Sequence, residues 1–293
     1  MHRCEACETL YLDPRPTPES IIAAYQDYYT HAAGEQISLA GPTGLVGRLR
    51  NDYLGWKLGY SLPRRHPAGR WILRMMPVRR RRYERLIRHL PRPELGARIL
   101  DVGCGNGEFL ARLREIGWDV FGFEVDPEAV AATRALGIPV VDGALGRALA
   151  HGPYHVVTSS HVLEHVHDPI NFLETCRSLL APSGRLWMAT PNIESVGFRR
   201  YGAHWMGLDC PRHLVLFSRR SLALALERAG FSDGHAVAGL GFYGMLAESF
   251  ALHRRLTHRT SAPVRRMVEE AAGSALMWAV KDWGEELIAT ASA

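Results

Sequence analysis

Residues 97–107 read ARILDVGCGNG, and this stretch decides the fold. Ile99, Leu100 and Val102 are the apolar core of a short buried strand, with the carboxylate of Asp101 set near its end. Gly103, Gly105 and Gly107 follow at every second position, and a helical pattern, EFLARLREIG, begins directly after them. Strand, tight glycine loop and helix in that order are the layout of a nucleotide-type cofactor site. Glycine lets the loop bend sharply and lets a ligand approach the backbone of Gly103, Cys104 and Gly105 without a Cβ in the way. The helix start offers free N–H groups and the positive end of its dipole. The bland alternative is a structural turn without a ligand.

Outward from this stretch, residues 97–192 alternate strand and helix, which argues for a parallel sheet covered by helices. DVFGFEVD is the second strand. Glu124 lies 21 residues after Gly103, where a ribose-binding carboxylate belongs, with Val125 beside it. IPVVDG is the third strand, and Asp142 at its end can accept a hydrogen bond from an adenine amine. The fourth, YHVVTSSH, brings Ser160, His161 and then His165 to the carboxyl edge of the sheet, where ligands of such sheets sit. A histidine is the side chain suited to general-base work near neutral pH, which makes His165 a candidate; a histidine merely bonded to backbone is the alternative. Asp168 is placed to cap PINFLETCRSLL, with Pro169 at its first position. RLWMATPN is the fifth strand, Ser218 caps RRSLALALERAG, SDGHAVAGL is the sixth strand and EELIATASA an antiparallel seventh.

Three segments carry a resemblance. G-x-G-x-G brings the third glycine one residue earlier than the dinucleotide fingerprint. With the acid ahead of it, LDVGCGNG resembles motif I of class I S-adenosylmethionine-dependent methyltransferases. VLEHVHDP, residues 162–169, is similar to the region after the fourth strand in methyltransferases related to the ubiquinone-biosynthesis O-methyltransferase. YGAHWMGLDCPRHLVLF, residues 201–217, resembles the W-x-x-x-D-x-P-x-H-x-x-x-F segment of a broad bacterial family linked to polysaccharide and secondary-metabolite methylation. The resemblance implies a Rossmann-like, seven-stranded, mostly parallel sheet with helices on both faces. It implies S-adenosylmethionine as cofactor and methyl transfer to a small-molecule, sugar or lipid-linked acceptor, at oxygen. Asp101, Gly103, Cys104, Gly105, Glu124, Val125, Asp142, Ser160 and His161 are then the cofactor-binding candidates; His165, His213 and Asp209 are the candidates for deprotonating the acceptor. Some ubiquinone-type relatives carry E-x-x-E-H and bind a divalent cation. Here histidine replaces the first acid, as His161-x-x-Glu164-His165, and no metal is expected. No D/N/S-P-P-aromatic motif follows the fourth strand, which counts against base-amine methylation and against nucleic acid as a partner. A nicotinamide-dependent oxidoreductase and a non-catalytic S-adenosylmethionine-binding or membrane-surface module are the rival functions.

Composition bounds the rest. The chain has 293 residues, 47% hydrophobic and 22% charged, ordinary for a globular protein. No apolar run reaches bilayer length and MHRCEACETL has no signal-peptide core, so the expected location is cytoplasmic, with peripheral contact at the inner membrane face an option. The net charge of +5 is uneven: residues 42–93 hold thirteen Arg and Lys57 against Asp52 and Glu84, a net +12, leaving −7 elsewhere. That segment reads as a helical cap with a solvated basic face, as a surface for anionic lipid or a lipid-linked substrate, or as a phosphate-backbone binder. Cys4 and Cys7 resemble half of a zinc ribbon, but four ligands are needed and no second C-x-x-C exists. The expected organisation is a knuckle and basic cap over 1–93, a cofactor-binding core over 94–241, a helical insertion over 242–283 that packs on the core or forms a homodimer contact, and a last core strand over 284–293.

Overall fold

The computed structural model describes residues 1–25, 38–41, 44–239, 243–257 and 284–293. Strands β1 (His2–Arg3) and β2 (Leu10–Tyr11) form a small hairpin around Cys4 and Cys7, both free thiols. The helices α1 (Leu45–Leu58), α2 (Gly69–Arg74) and α3 (Pro77–Arg85) follow. The core then runs β3 (Arg98–Val102), α4 (Glu108–Arg114), β4 (Asp119–Phe123), α5 (Pro127–Ala135), β5 (Val140–Val141), β6 (Tyr154–Ser160), α6 (Pro169–Ser178) and β7 (Leu180–Pro191). After α7 (Val196–Tyr201) and β8 (Val215–Leu216) come α8 (Arg219–Arg228), β9 (Ser232–Gly239), α9 (Tyr243–Thr257) and β10 (Glu286–Ser292).

Seven strands form one sheet in the order β5-β4-β3-β6-β7-β10-β9. β3, β4 and β5 are parallel, with Arg98 opposite Asp119 and Val102 opposite Phe123. β10 runs antiparallel between β7 and β9, the expected seventh strand. This is the mostly parallel, Rossmann-like α/β sheet that the glycine stretch announced. The caps form as read: Asp168 Oδ1 accepts from Asn171 N at 3.0 Å. Ser218 and Ser221 form a capping box at α8. The fifth strand begins earlier than RLWMATPN suggests, at Leu180, and the third is only two residues long. Of the helical insertion read over 242–283, α9 spans Tyr243–Thr257 and the rest lies outside the described residues.

Chain contacts divide the molecule into two units. One comprises Tyr29–Thr158 and Leu179–Gly184; the other comprises Met1–Tyr28, Ser159–Ser178 and Arg185–Ala293. In the first unit, α1 to α3 are not a detached cap. Tyr53, Leu54, Tyr60, Leu73 and Ile87 share one buried cluster with Ile99, Leu110, Leu113, Trp118 and Val156. Tyr60 Oη accepts from Trp118 Nε1 at 3.3 Å and donates to the carbonyl of Leu90 at 3.0 Å. In the second unit, β2 pairs with β8 to make a three-stranded sheet, so the cysteine hairpin is tied to the chain just after His213. Leu10, Ile193, Trp205 and Leu216 are its local core.

Candidate functional site

The first unit holds the glycine loop. Gly103 (φ +75°) and Gly105 (φ +55°) adopt the left-handed backbone that side chains disfavour, as the spacing implied. Their conformation sends the N–H groups of Gly103 and Cys104 back to the carbonyl of Phe123, at 2.8 and 3.1 Å. A Cβ at Gly105 would meet no atom within 4 Å, so the loop backbone faces open space there. Glu124 is anchored beside it: Oε2 accepts from Gly105 N at 2.8 Å, and Oε1 from Val125 N at 2.7 Å and Asp126 N at 3.1 Å. The carboxylate is therefore fixed next to a bare stretch of backbone; Oε1 is filled by its two donors, and Oε2 keeps one lone pair for a hydroxyl donor. Val125 is exposed and supplies an apolar surface beside it.

Other candidates in this unit do different work. Cys104 turns its thiol inward, 3.9 Å from Thr133 Oγ1, and burial pushes it up to about 12, so it contributes backbone rather than sulfur chemistry. Asp142 is paired with Arg134 at 3.2 Å and Arg147 at 3.4 Å, half-exposed. Asp101 is buried under the loop. Its Oδ1 accepts from the Arg88 guanidinium and, at 2.9 Å, from Thr158 Oγ1. Burial raises the Asp101 carboxyl above its ordinary value, and the Arg88 charge opposes that shift. Arg88 also donates to Thr158 at 2.7 Å and lies over the Phe109 ring at 3.7 Å. Arg88 and Thr158 are absent from the sequence-based candidates. Arg88 sits inside an arginine-rich run read as surface, and no spacing rule links it to a residue 13 positions later.

The second unit holds the histidines. His161 donates to Glu164, 3.1 Å away, and lies 3.4 Å from Glu286. Burial works against a charged imidazole, but the bonds and charges of Glu164 and Glu286 outweigh it and raise His161 to about 9. Burial likewise opposes the Glu164 charge, yet His161 and the neighbouring histidines bring it down to about 2. Thr190 Oγ1 donates to Glu164 Oε2 at 2.9 Å. His161 is thus an internal counter-ion. Ser160, which ends β6, is half-buried.

His165 and His213 come together, ring centroids 4.7 Å apart and tilted edge to face. His165 Nδ1 lies 3.1 Å from the Arg212 carbonyl and 3.0 Å from Tyr25 Oη; one N–H serves both oxygens and leaves the Nε2 lone pair. His213 Nδ1 donates to the Gly207 carbonyl at 2.8 Å, and burial pushes His213 down, so this imidazole stays neutral. Asp209 is held by the fork of Arg212, with Oδ2 2.9 Å from Nε. It fixes the turn between Trp205 and His213. Trp205, fully buried, donates to Glu285 Oε2 at 2.7 Å, and Glu285 also accepts from Gly197 N at 2.8 Å. Tyr25, Glu285 and Glu286 were not among the sequence candidates, since each acts through a partner far off in the chain; Arg212, also absent, pairs with Asp209 three positions before it.

Ligand atoms of Glu164, His165 and His213 lie within 4.8 Å of one another, close enough for one ion. The donor set does not fit a hard divalent cation. Two of its three donors are imidazoles, and the charged His161 stands where a further acid would be needed.

A family profile described as a methyltransferase domain matches residues 77–235. The chain is 31% identical over 182 residues to the ubiquinone biosynthesis O-methyltransferase of Xanthomonas axonopodis pv. citri (strain 306), covering 56% of this chain and 72% of that protein. It is 33% identical over 124 residues to the protein of the same name from Caulobacter sp. (strain K31), covering 39% and 49%. An S-adenosylmethionine dependent methyltransferase structure from Mesorhizobium loti aligns over 73% of this chain and 98% of its own, with 20% identity and a TM-score of 0.48.

Two stability measurements check the buried charges. Arg88→Met leaves Asp101 unpaired and is expected to cost about 3–5 kcal/mol in urea unfolding, while Arg88→Met with Asp101→Asn costs less than the single change. An additive double variant contradicts the pairing. His161 is raised in the fold, so its contribution is complete below 6.5 and lost as pH rises through about 9; that of Glu164 is complete above 4.5 and lost as pH falls through about 2. His161→Gln should therefore lower the melting temperature strongly near about pH 6 and little near about pH 10. An equal loss at both pH values rules out the charged pair.

Proposed function

The chain belongs to the methyltransferase family and is an S-adenosylmethionine-dependent enzyme, and from that premise we propose that it methylates an oxygen of a small-molecule, sugar or lipid-linked acceptor in the cytoplasm. The observation that carries the cofactor half is the Glu124 carboxylate pinned to Gly105 beside open backbone. Glu124 Oε2 is suited to accept a ribose hydroxyl, Val125 to pack on the adenine, and the Gly103–Gly105 backbone to take the rest of the nucleoside. Asp101 serves from beneath, with Arg88 and Thr158 keeping the end of β3 rigid. S-adenosylmethionine supplies, when bound, an electrophilic sulfonium methyl.

The relatives are named O-methyltransferases, which supports oxygen as the methylated atom. An alcohol or phenol must lose its proton as the new bond forms. His165 is the group suited to take it: half-buried, with its Nδ1–H committed to Arg212 and its Nε2 free as a lone pair. His213 is buried and neutral and acts as a positioning residue, keeping the His165 ring edge-on. Asp209 and Arg212 hold the turn that carries both contacts. Orientation of two reactants accounts for roughly 7–11 kcal/mol of such a barrier, so the base is a partial contributor.

Calorimetry tests the cofactor half. S-adenosylhomocysteine should bind and NAD should not, and Glu124→Ala should weaken the former roughly ten- to a hundredfold, the loss of a charge-assisted hydrogen bond. Preference for NAD refutes the reading. For the base, release of S-adenosylhomocysteine is followed while phenols, sugars and lipid-linked glycans are screened as acceptors. His165→Ala should cut turnover on the best acceptor about a hundredfold with cofactor affinity intact; unchanged turnover removes His165 from the role.

A further inference from the structure

The first unit carries a surface that methyl transfer does not explain. On α2, Leu73 faces the core while Trp71, Ile72 and Met75 point outward, 65%, 41% and 83% exposed. Trp56 of α1, 46% exposed, joins them. The Arg74 guanidinium links the two indoles, 5.5 Å from the Trp56 ring and 5.8 Å from the Trp71 ring. Arg79 and Arg82, on the next helix, are exposed as well. Soluble surfaces rarely group two indoles and two long aliphatic side chains without a purpose.

We propose that this face of α1, α2 and α3 docks on a bilayer containing anionic phospholipid. The indoles and Arg74 form the kind of amphipathic layer that settles at the headgroup level, rings toward the acyl chains and guanidinium toward phosphate. Ile72 and Met75 are aliphatic; they gain by entering the acyl boundary and have nothing to stack on in a nucleic acid. The exposed arginines Arg74, Arg79 and Arg82 match an anionic leaflet. The same like charges oppose a second copy of the chain at this face. No described helix is long and apolar enough to cross a membrane, and surface docking needs none. The proposal rests on this face alone and stands apart from the methyl acceptor and the base.

The full chain is sedimented with vesicles of phosphatidylcholine alone and of phosphatidylcholine mixed with phosphatidylglycerol. It should pellet with the mixed vesicles, less so as salt rises, and its indole emission should shift to shorter wavelength and be quenched by brominated acyl chains. Trp71→Glu with Met75→Glu should weaken vesicle binding roughly tenfold or more, and Arg79→Glu with Arg82→Glu should do the same while leaving neutral vesicles unbound. S-adenosylhomocysteine binding and the melting temperature, measured in parallel, should not move in either variant. The wild-type quenching reports insertion even if a variant fails to fold. The proposal is overturned if mixed vesicles leave the wild type in the supernatant, if quenching is absent, if the Trp71/Met75 variant binds as the wild type does, or if duplex DNA or self-association takes up the face instead.

Discussion

The buried contact among Arg88, Asp101 and Thr158 is the constraint on which the cofactor-binding unit depends. A carboxylate and a guanidinium have both been taken out of water at the end of the first core strand, at a desolvation cost that only close pairing offsets. Thr158, on the neighbouring strand segment within the same unit, bonds to both ions and completes the set. Arg88 comes from the chain just after α3, so the helical segment is bolted to the strand that delivers the glycine loop. Two residues beyond Asp101 the backbone must adopt left-handed conformations twice in three residues, and a strand free to shift would blur that geometry. The ion pair holds the end of the strand from which the glycine run departs.

A second charge set works in the other unit with the opposite arithmetic. One histidine stands between Glu164 and Glu286, and a threonine hydroxyl donates a hydrogen bond to Glu164. The consequence reaches the adjoining histidines through backbone: the Glu164 carbonyl accepts from Leu214 N at 2.7 Å, next to His213. Charge balance at His161, the turn held by Asp209 and Arg212, and the pairing of β2 with β8 all converge on the placement of His165 and His213. Trp205 and Glu285 lock the far end of the same segment.

Much of the fold was legible because it is written in local rules. Glycine spacing, period-two apolar runs and caps such as Asp168 and Ser218 each depend on a few consecutive residues. The antiparallel last strand followed from the family those rules pointed to, whereas the order of the strands is seen only in the fold. The candidate site was legible where residue type and sequence position coincide, at Gly103, Gly105 and Glu124, whose backbone conformation and hydrogen bonds form as the spacing implies. Arg88 and Tyr25 were invisible because their partners lie 13 and 140 positions away. Asp101 and Cys104 were visible as motif members, yet their side chains point inward, a matter of packing that no pattern encodes. The basic segment over 42–93 left a cap, a lipid surface and a phosphate binder open; that Tyr53, Tyr60 and Ile87 pack in one cluster with Ile99 and Leu110 is a matter of tertiary packing that no pattern encodes.

Strand β10 lies between β7 and β9, and β9 ends the sheet with β10 as its one neighbour among the described residues. The ribosome makes β9 well before β10, with the whole stretch from 240 to 285 in between. During that interval β7 and β9 both emerge as open hydrogen-bonding edges with no strand to join them. A nascent chain in that state is exposed to sticking to its neighbours on a polysome. The order in which the sheet is written thus assigns its hazard to a definite moment of synthesis, when a holding chaperone would be of most use.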